Sequence, residues 1–412
     1  MTVQLETRNS SIQELQDLLQ AQQDQKQDVV LPVNKLTSVG GKIIVPGDYE
    51  FMSMEGFSKF EELRTTPSAI FDSQFAEKFK VPRRYIVRAR ELAAAEAKAK
   101  EENFGTDATS VRRIEHLDEM FNIEFAQDER RMLVRMFVDP VTGKGIARSI
   151  LSSKFLILDH LDMMFATLEG INAAGAEIVD HGCDLTDSNM RVKLYAPGIA
   201  LMAPILLDGY KSPFEVPGRP GEGHGQEGLR DDQGNLPIVN AGLMFGNSET
   251  GSGTAYVLPW VRALACTNGM QIQVKGSGVT RRHLGANMGD GMVSRDTQQA
   301  NIELIKLQAR DAVEQFLDPV WVQGEIDKIE AKAGIRVTNA VETIDAVAKE
   351  LRFSENERNS IMDMFVRSGQ PTTGGVLNAV TAAAQEIPNP DRANEVEAAG
   401  LRAMAIAVRV AA

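Results

Sequence analysis

The chemistry in this chain is concentrated in cations with few acids beside them. Lys80, Arg83, Arg84, Arg88 and Arg90 lie in a stretch, 80–90, that contains no acid and has Tyr85 in its middle. If Pro82 opens a helix, Arg84 and Arg88 fall one turn apart on one face. Guanidinium groups pair bidentately with phosphate oxygens, and an aromatic ring between them could stack on a base. A solvated helix face answered by Glu91 explains the same residues. Lys275, Arg281, Arg282 and His283 form a second cluster among Gly276, Gly278 and Gly285, where glycine lets backbone approach a ligand. Upstream, Arg262 sits on a predicted strand with Trp260, which either stacks on a base or belongs to the core.

Chemistry of the enzymatic kind is not assembled. His181 and Cys183, flanked by Asp180 and Asp184, make half a metal site with no second ligand pair. GKG at 143–145 lacks the spacing of a phosphate-binding loop, and GSGVTR at 276–281 lacks the third glycine of a dinucleotide fingerprint. The pairs Asp159/Asp162 and Asp231/Asp232 are too common in type to argue for a two-metal centre. No catalytic residue, metal or cofactor is assigned. The polar run Asn247–Ser252 between two apolar strands reads as a hairpin turn, or as a turn that holds a ligand. Cys266-Thr-Asn-Gly reads as a strand ending in a turn, with a buried thiol.

The elements that must position these residues predict an α+β fold: a central antiparallel or mixed sheet, an N-terminal helical hairpin and a helical C-terminal region. Residues 1–30 read as a flexible segment whose helix, capped at Ser10–Ser11, has only a thin apolar stripe at Leu15, Leu18 and Leu19. Residues 31–125 hold short strands and the hairpin, with helices from Ser68 to Phe79 and from Pro82 onward; its turn resembles a helix-turn-helix, with Lys80 where glycine is preferred. Residues 126–295 form a strand-rich domain. It contains a predicted mobile loop, 211–236, dense in proline and glycine. A helix over Asp159–Gly170 is predicted to place Leu161, Met164, Phe165 and Leu168 on one face. Residues 296–412 read as helical.

Hydrophobic residues at 43% and charged residues at 25% suit a globular core. No apolar run approaches the roughly 18 residues of a membrane span, and the first residues lack a signal-peptide pattern. With two cysteines, a reducing cytoplasm is the expected compartment. The net charge of −13 opposes nucleic acid at long range, so any such binding must be local.

Four blocks share a common likeness: FAEKFKVPRRYIVRA (75–89), ARSILSSKFLILDHLDMM (147–164), FGNSETGSGTAYVLPWVRALACTNGM (245–270) and TTGGVLNAVTAAAQE (372–386). In this order they resemble a bacteriophage- and plasmid-borne protein family of unknown function. Lys154–Phe155 and His160 depart from that family's Arg–Tyr and Asn. By fold-level analogy the likeness extends to phage single-strand annealing proteins. It implies a non-catalytic, oligomeric protein of the bacterial host cytoplasm that binds single-stranded DNA in recombination. The basic clusters make Arg262, Lys275, Arg281, Arg282 and Trp260 the first candidates for that contact and Arg83, Arg84 and Arg88 the second. A structural protein that self-assembles or binds a phage or host partner is the alternative.

Overall fold

In the computed structural model, the described residues are 4–47, 50–53, 56–59, 62–101, 108–139, 144–208, 215–216, 219–223, 238–263, 271–273, 279–281 and 295–411. The chain opens with strand β1 (Thr7–Ser10) and helix α1 (Ile12–Gln23), whose start is fixed by a reciprocal capping box between Ser11 and Glu14. Strands β2 (Lys26–Pro32), β3 (Thr37–Val39), β4 (Lys42–Val45), β5 (Glu50–Ser53), β6 (Gly56–Lys59) and β7 (Leu63–Pro67) follow. Next come helices α2 (Ala69–Phe79), α3 (Arg83–Glu101) and α4 (Ala108–Ala126), strands β8 (Arg131–Val138) and β9 (Lys144–Ser152), and helix α5 (His160–Ala173). The second half holds β10 (Val179–Leu185), β11 (Met190–Met202), β12 (Glu215–Val216), β13 (Arg219–Gly223), β14 (Ile238–Asn247), β15 (Ala255–Ala263), β16 (Gln271–Gln273) and β17 (Val279–Arg281). It ends in α6 (Arg295–Phe316), α7 (Pro319–Ala333), α8 (Ala340–Leu351), α9 (Glu355–Ser368), α10 (Thr373–Glu386), α11 (Pro390–Glu397) and α12 (Gly400–Ala411). The fold is α+β, as expected from the sequence.

Two large sheets organise it. The first runs β3-β4-β7-β9-β8-β2-β5-β6 and is mixed, because β7 and β9 pair in parallel. One of its faces packs α2, α3 and α4 through Phe71, Phe75, Ile86, Phe121 and Phe125 against Val29, Leu31, Val134 and Ile150. The second sheet is antiparallel, runs β1-β10-β11-β14-β15-β16, and has β17 also paired to β15. One face of it, carrying Val192, Leu194, Leu243, Phe245, Val257 and Val261, packs against α1, α5, α6 and α7. The C-terminal helices close a third core around Ile344, Ile361, Met364 and Val380.

Three expectations need correction. Residues 7–32 are not a flexible lead-in. β1 joins the second sheet beside β10, α1 buries Leu15 and Leu19, and β2 is an inner strand of the first sheet. A narrow stripe suffices because two leucines at i, i+4 fill one gap under the sheet. The division at 125/126 also fails, since β8 and β9 belong with β2 and β7 and the first sheet extends to Ser152. In α5, Phe165 faces outward at 41% exposure, whereas Leu161 and Met164 are buried. Within 211–236, residues 215–216 and 219–223 pair as a two-stranded ribbon; the rest of that segment lies outside the described residues.

Candidate nucleic-acid interface

The α2–α3 hairpin is built tightly. Ser68 caps α2, and Lys80 ends it in the left-handed conformation with φ 59°, the backbone state for which glycine is preferred at such a turn. Arg90 is withdrawn from the basic cluster. Its guanidinium clasps buried Asp72, with Nη2 donating to Oδ1 at 2.8 Å, and its Nη1 donates to the Gly41 carbonyl at 2.9 Å. That clasp, with Ile86 and Ala89 buried, fixes which side of α3 meets the sheet. Arg83, Arg84, Tyr85, Val87 and Arg88 are left on the exposed arc, Tyr85 at 40% exposure. The first turn of α3 has no acid. On this arc Arg88 meets Glu91 at 3.8 Å, a separation at which an exposed pair contributes little.

Arg262 and Trp260 lie on the other face of the second sheet, away from its core. Trp260 is 1% exposed, so it does not stand as an open stacking surface; the reading of Trp260 as a packed core residue holds instead. Its ring lies across Gly242, where a Cβ would approach Trp260 Cε3 to 2.8 Å. Lys193 Nζ and the His181 ring lie 5.9 and 5.0 Å from its ring centre. Arg262 is half-buried, with its guanidinium 4.9 Å from the Tyr195 ring centre. Burial, then the charges of Arg262 and Lys193, push His181 down to about 3, so its ring is neutral near pH 7. Arg281 ends β17, in register with Ala255. Lys275, Arg282, His283 and Cys266 lie outside the described residues. The structure therefore brings Trp260 and Arg262 together on one face and places Arg83, Arg84 and Arg88 on another element.

A denser constellation escaped the sequence reading. Opposite the helix-covered face of the first sheet, buried Arg135 donates from Nε and Nη2 to Asp28 at 2.9 and 3.0 Å, from Nη2 to Asp159 at 2.6 Å, and from Nη1 to the Glu249 carbonyl at 3.0 Å. Lys26 pairs with Asp159 as well. Between Arg135↔Ser149 and Met136↔Ala147 the ladder carries one extra residue, Arg148. That bulge aims Arg148 into the interior, where Nη1 donates to Glu249 Oε2 at 2.5 Å. Glu249 Oε1 accepts the backbone N–H of His160 at 2.6 Å.

The run Asn247–Ser252 forms a turn, as read, but its residues Asn247–Thr250 are buried and driven into the first sheet, and only Gly251 and Ser252 are exposed. Gln74 donates to the Thr250 carbonyl at 2.6 Å, and Ser248 Oγ donates to the Ser188 carbonyl at 2.7 Å. Burial raises Glu249, but His160, Arg148 and Arg135 outweigh it and hold the carboxyl well below its usual range. Because burial pushes His160 down to about 4, the two guanidiniums carry that effect at neutral pH. These charges are used by one another, so the cluster works as a joint between the sheets. The signal for it was an arginine in the interior of each of two strands, Arg135 within RMLVRMFV and Arg148 within KGIARSILS.

Among the described residues no group of His, Cys, Asp and Glu could hold a metal ion, and no helix is long and apolar enough to cross a membrane. Cys183, one half of the suggested metal fragment, is buried in the core, and burial with the nearby Asp180 and Asp184 charges pushes its thiol up to about 12. Comparison with protein-family models, curated proteins and solved structures finds no match to this chain.

Proposed function

We propose that this chain, read as bacteriophage-encoded, binds single-stranded nucleic acid without catalysis, through the exposed arc of α3. One observation supports the reading: Arg83, Arg84 and Arg88 stand in solvent around exposed Tyr85, with no acid in the helix's first turn. Three guanidiniums would follow a phosphate backbone, and the phenol ring offers a face on which a base can stack. Helix-start peptide dipoles add to the positive potential there, so an anion is the natural partner. The net charge of −13 confines the attraction to this patch and makes it sensitive to salt.

The test is fluorescence anisotropy with single- and double-stranded oligonucleotides at two salt concentrations. Arg84→Ala with Arg88→Ala should weaken single-strand binding about uniformly across sequences and reduce the salt slope by roughly one per arginine. Because both side chains are exposed, thermal stability should hold. Equal binding and slope in the folded double variant would remove α3 from the interface.

A protein partner is the second reading. Val39 and Ile123, both exposed, flank a shallow groove between β3 and α4 that also includes Ser38, Asp118 and Asn122. Failure to bind any oligonucleotide at low salt, with self-association in solution, would favour it.

A further inference from the structure

The outer face of the second sheet carries polar groups for which the described residues provide no partner. The indole N–H of Trp260, the Oδ1 of Asn240 and the Nε of Arg262 are all buried without a hydrogen-bond partner, and Trp260 and Asn240 are 1% and 2% exposed. Arg262 forms no hydrogen bond and no ion pair among the described residues. Such groups are costly to bury unmatched, and an unanswered guanidinium is unexpected in a chain with 57 acids against 44 bases.

The ladder register places them together. Asn240 pairs with Arg262, and Gly242 pairs with both Trp260 on one side and Tyr195 on the other. From neighbouring positions on the same face of β15, the Trp260 ring lies over Gly242, while the Arg262 guanidinium reaches the Tyr195 ring across that strand. Both donors therefore lie on the same face of the sheet, beside β14. Lys193 adds positive charge beside Trp260, although Glu397 answers it at 2.6 Å.

We infer that this face is a phosphate-binding site in which Arg262 and the Trp260 indole N–H donate to oxyanion oxygens and Tyr195 backs the guanidinium. Asn240 Oδ1 accepts from a protonated oxygen when the ligand is the free ion, and a phosphodiester, which has no such proton, uses the two donors alone. Trp260 thus acts through its N–H and not as a stacking surface. Phosphate can arrive as the free ion or within a nucleic-acid backbone. The site does not rest on the α3 reading.

The chain has two tryptophans, Trp260 and Trp321, so indole 15N labelling of the full protein gives two N–H resonances, assigned with Trp321→Phe. Inorganic phosphate, titrated at constant ionic strength, should move the Trp260 resonance saturably. A parallel titration with an oligothymidylate separates the sources: movement with phosphate alone identifies the ion, and movement with the oligonucleotide identifies the backbone. Arg262→Gln should weaken either response about tenfold or more. A Trp260 resonance unmoved by both probes overturns the site, as does an undiminished response in folded Arg262→Gln. The wild-type titration decides the question even if that variant does not fold.

Discussion

Asp162 and His160, both near the start of α5, titrate in opposing directions. Burial and then the Asp159 charge push Asp162 up to about 6 from 3.8. Between those values the folded chain keeps a proton that the unfolded chain has lost, so stability falls as pH rises through that window. His160, pushed by burial from 6.5 to about 4, does the reverse: the unfolded chain takes up the proton first, and stability falls as pH drops from 6.5 to 4. His181, also lowered, adds to the second effect. Wild-type stability should therefore vary little between pH 6 and 4 on account of this pair. Asp162→Asn removes the opposing half. It should stabilise the protein at pH 7.5 by about 1–3 kcal/mol, bring little gain at pH 4, and steepen the acid loss. Urea unfolding of both proteins at pH 4, 5.5 and 7.5 measures this, and equal stability at pH 7.5 would contradict it. None of this was legible in the sequence, where Asp159/Asp162 looked like an ordinary acidic pair. Its meaning depends on Lys26, Arg135 and Glu249, which reach it from other elements.

The elements themselves were more legible. The Ser11–Glu14 capping box, the Pro82 entry to α3 and the alternation of β8 can be read from local residues, because caps and periodicity are local physics. The lining of a sheet face cannot. Gly242 looked like an incidental strand glycine, yet a Cβ there would sit 2.3 Å from the Leu194 carbonyl and 2.8 Å from the Trp260 ring. Gly242→Ala should cost about 1–3 kcal/mol or more and alter the near-UV signal of the displaced indole. Gly198→Ala, in β11 with open space around its Cβ, should stay within about 0.5 kcal/mol. Equal effects in denaturant melts would show that the Trp260 ring does not lie against β14.

For the whole molecule, the joins between layers matter most, and they escaped a reading that divided the chain into consecutive domains. Glu249 joins the two sheets. Asp391, at the start of α11, accepts from Thr186, Ser188, Asn189 and Arg191 and so fastens the C-terminal helices to the second sheet. Arg8 ties the opening strand to the end of α10, donating to the Ile387 and Gln385 carbonyls at 2.6 and 3.0 Å. A cation on carbonyls at the C-terminal end of a helix is stabilising. Arg8→Ala should lower stability by about 1–2 kcal/mol and speed amide exchange in β1 before the rest of its sheet. An unchanged denaturation midpoint with unchanged β1 exchange would show that the clamp contributes nothing.

The same clamp sets an order of events during synthesis. Arg8 leaves the ribosome 379 positions ahead of its carbonyl partner at Ile387. At about 5–20 residues per second, the opening strand waits roughly 20–80 s for that partner. The first sheet can close once β8 and β9 have emerged, whereas β1 must stay unengaged with α10 until that helix has emerged. The clamp therefore closes only after the strands of both sheets have been made.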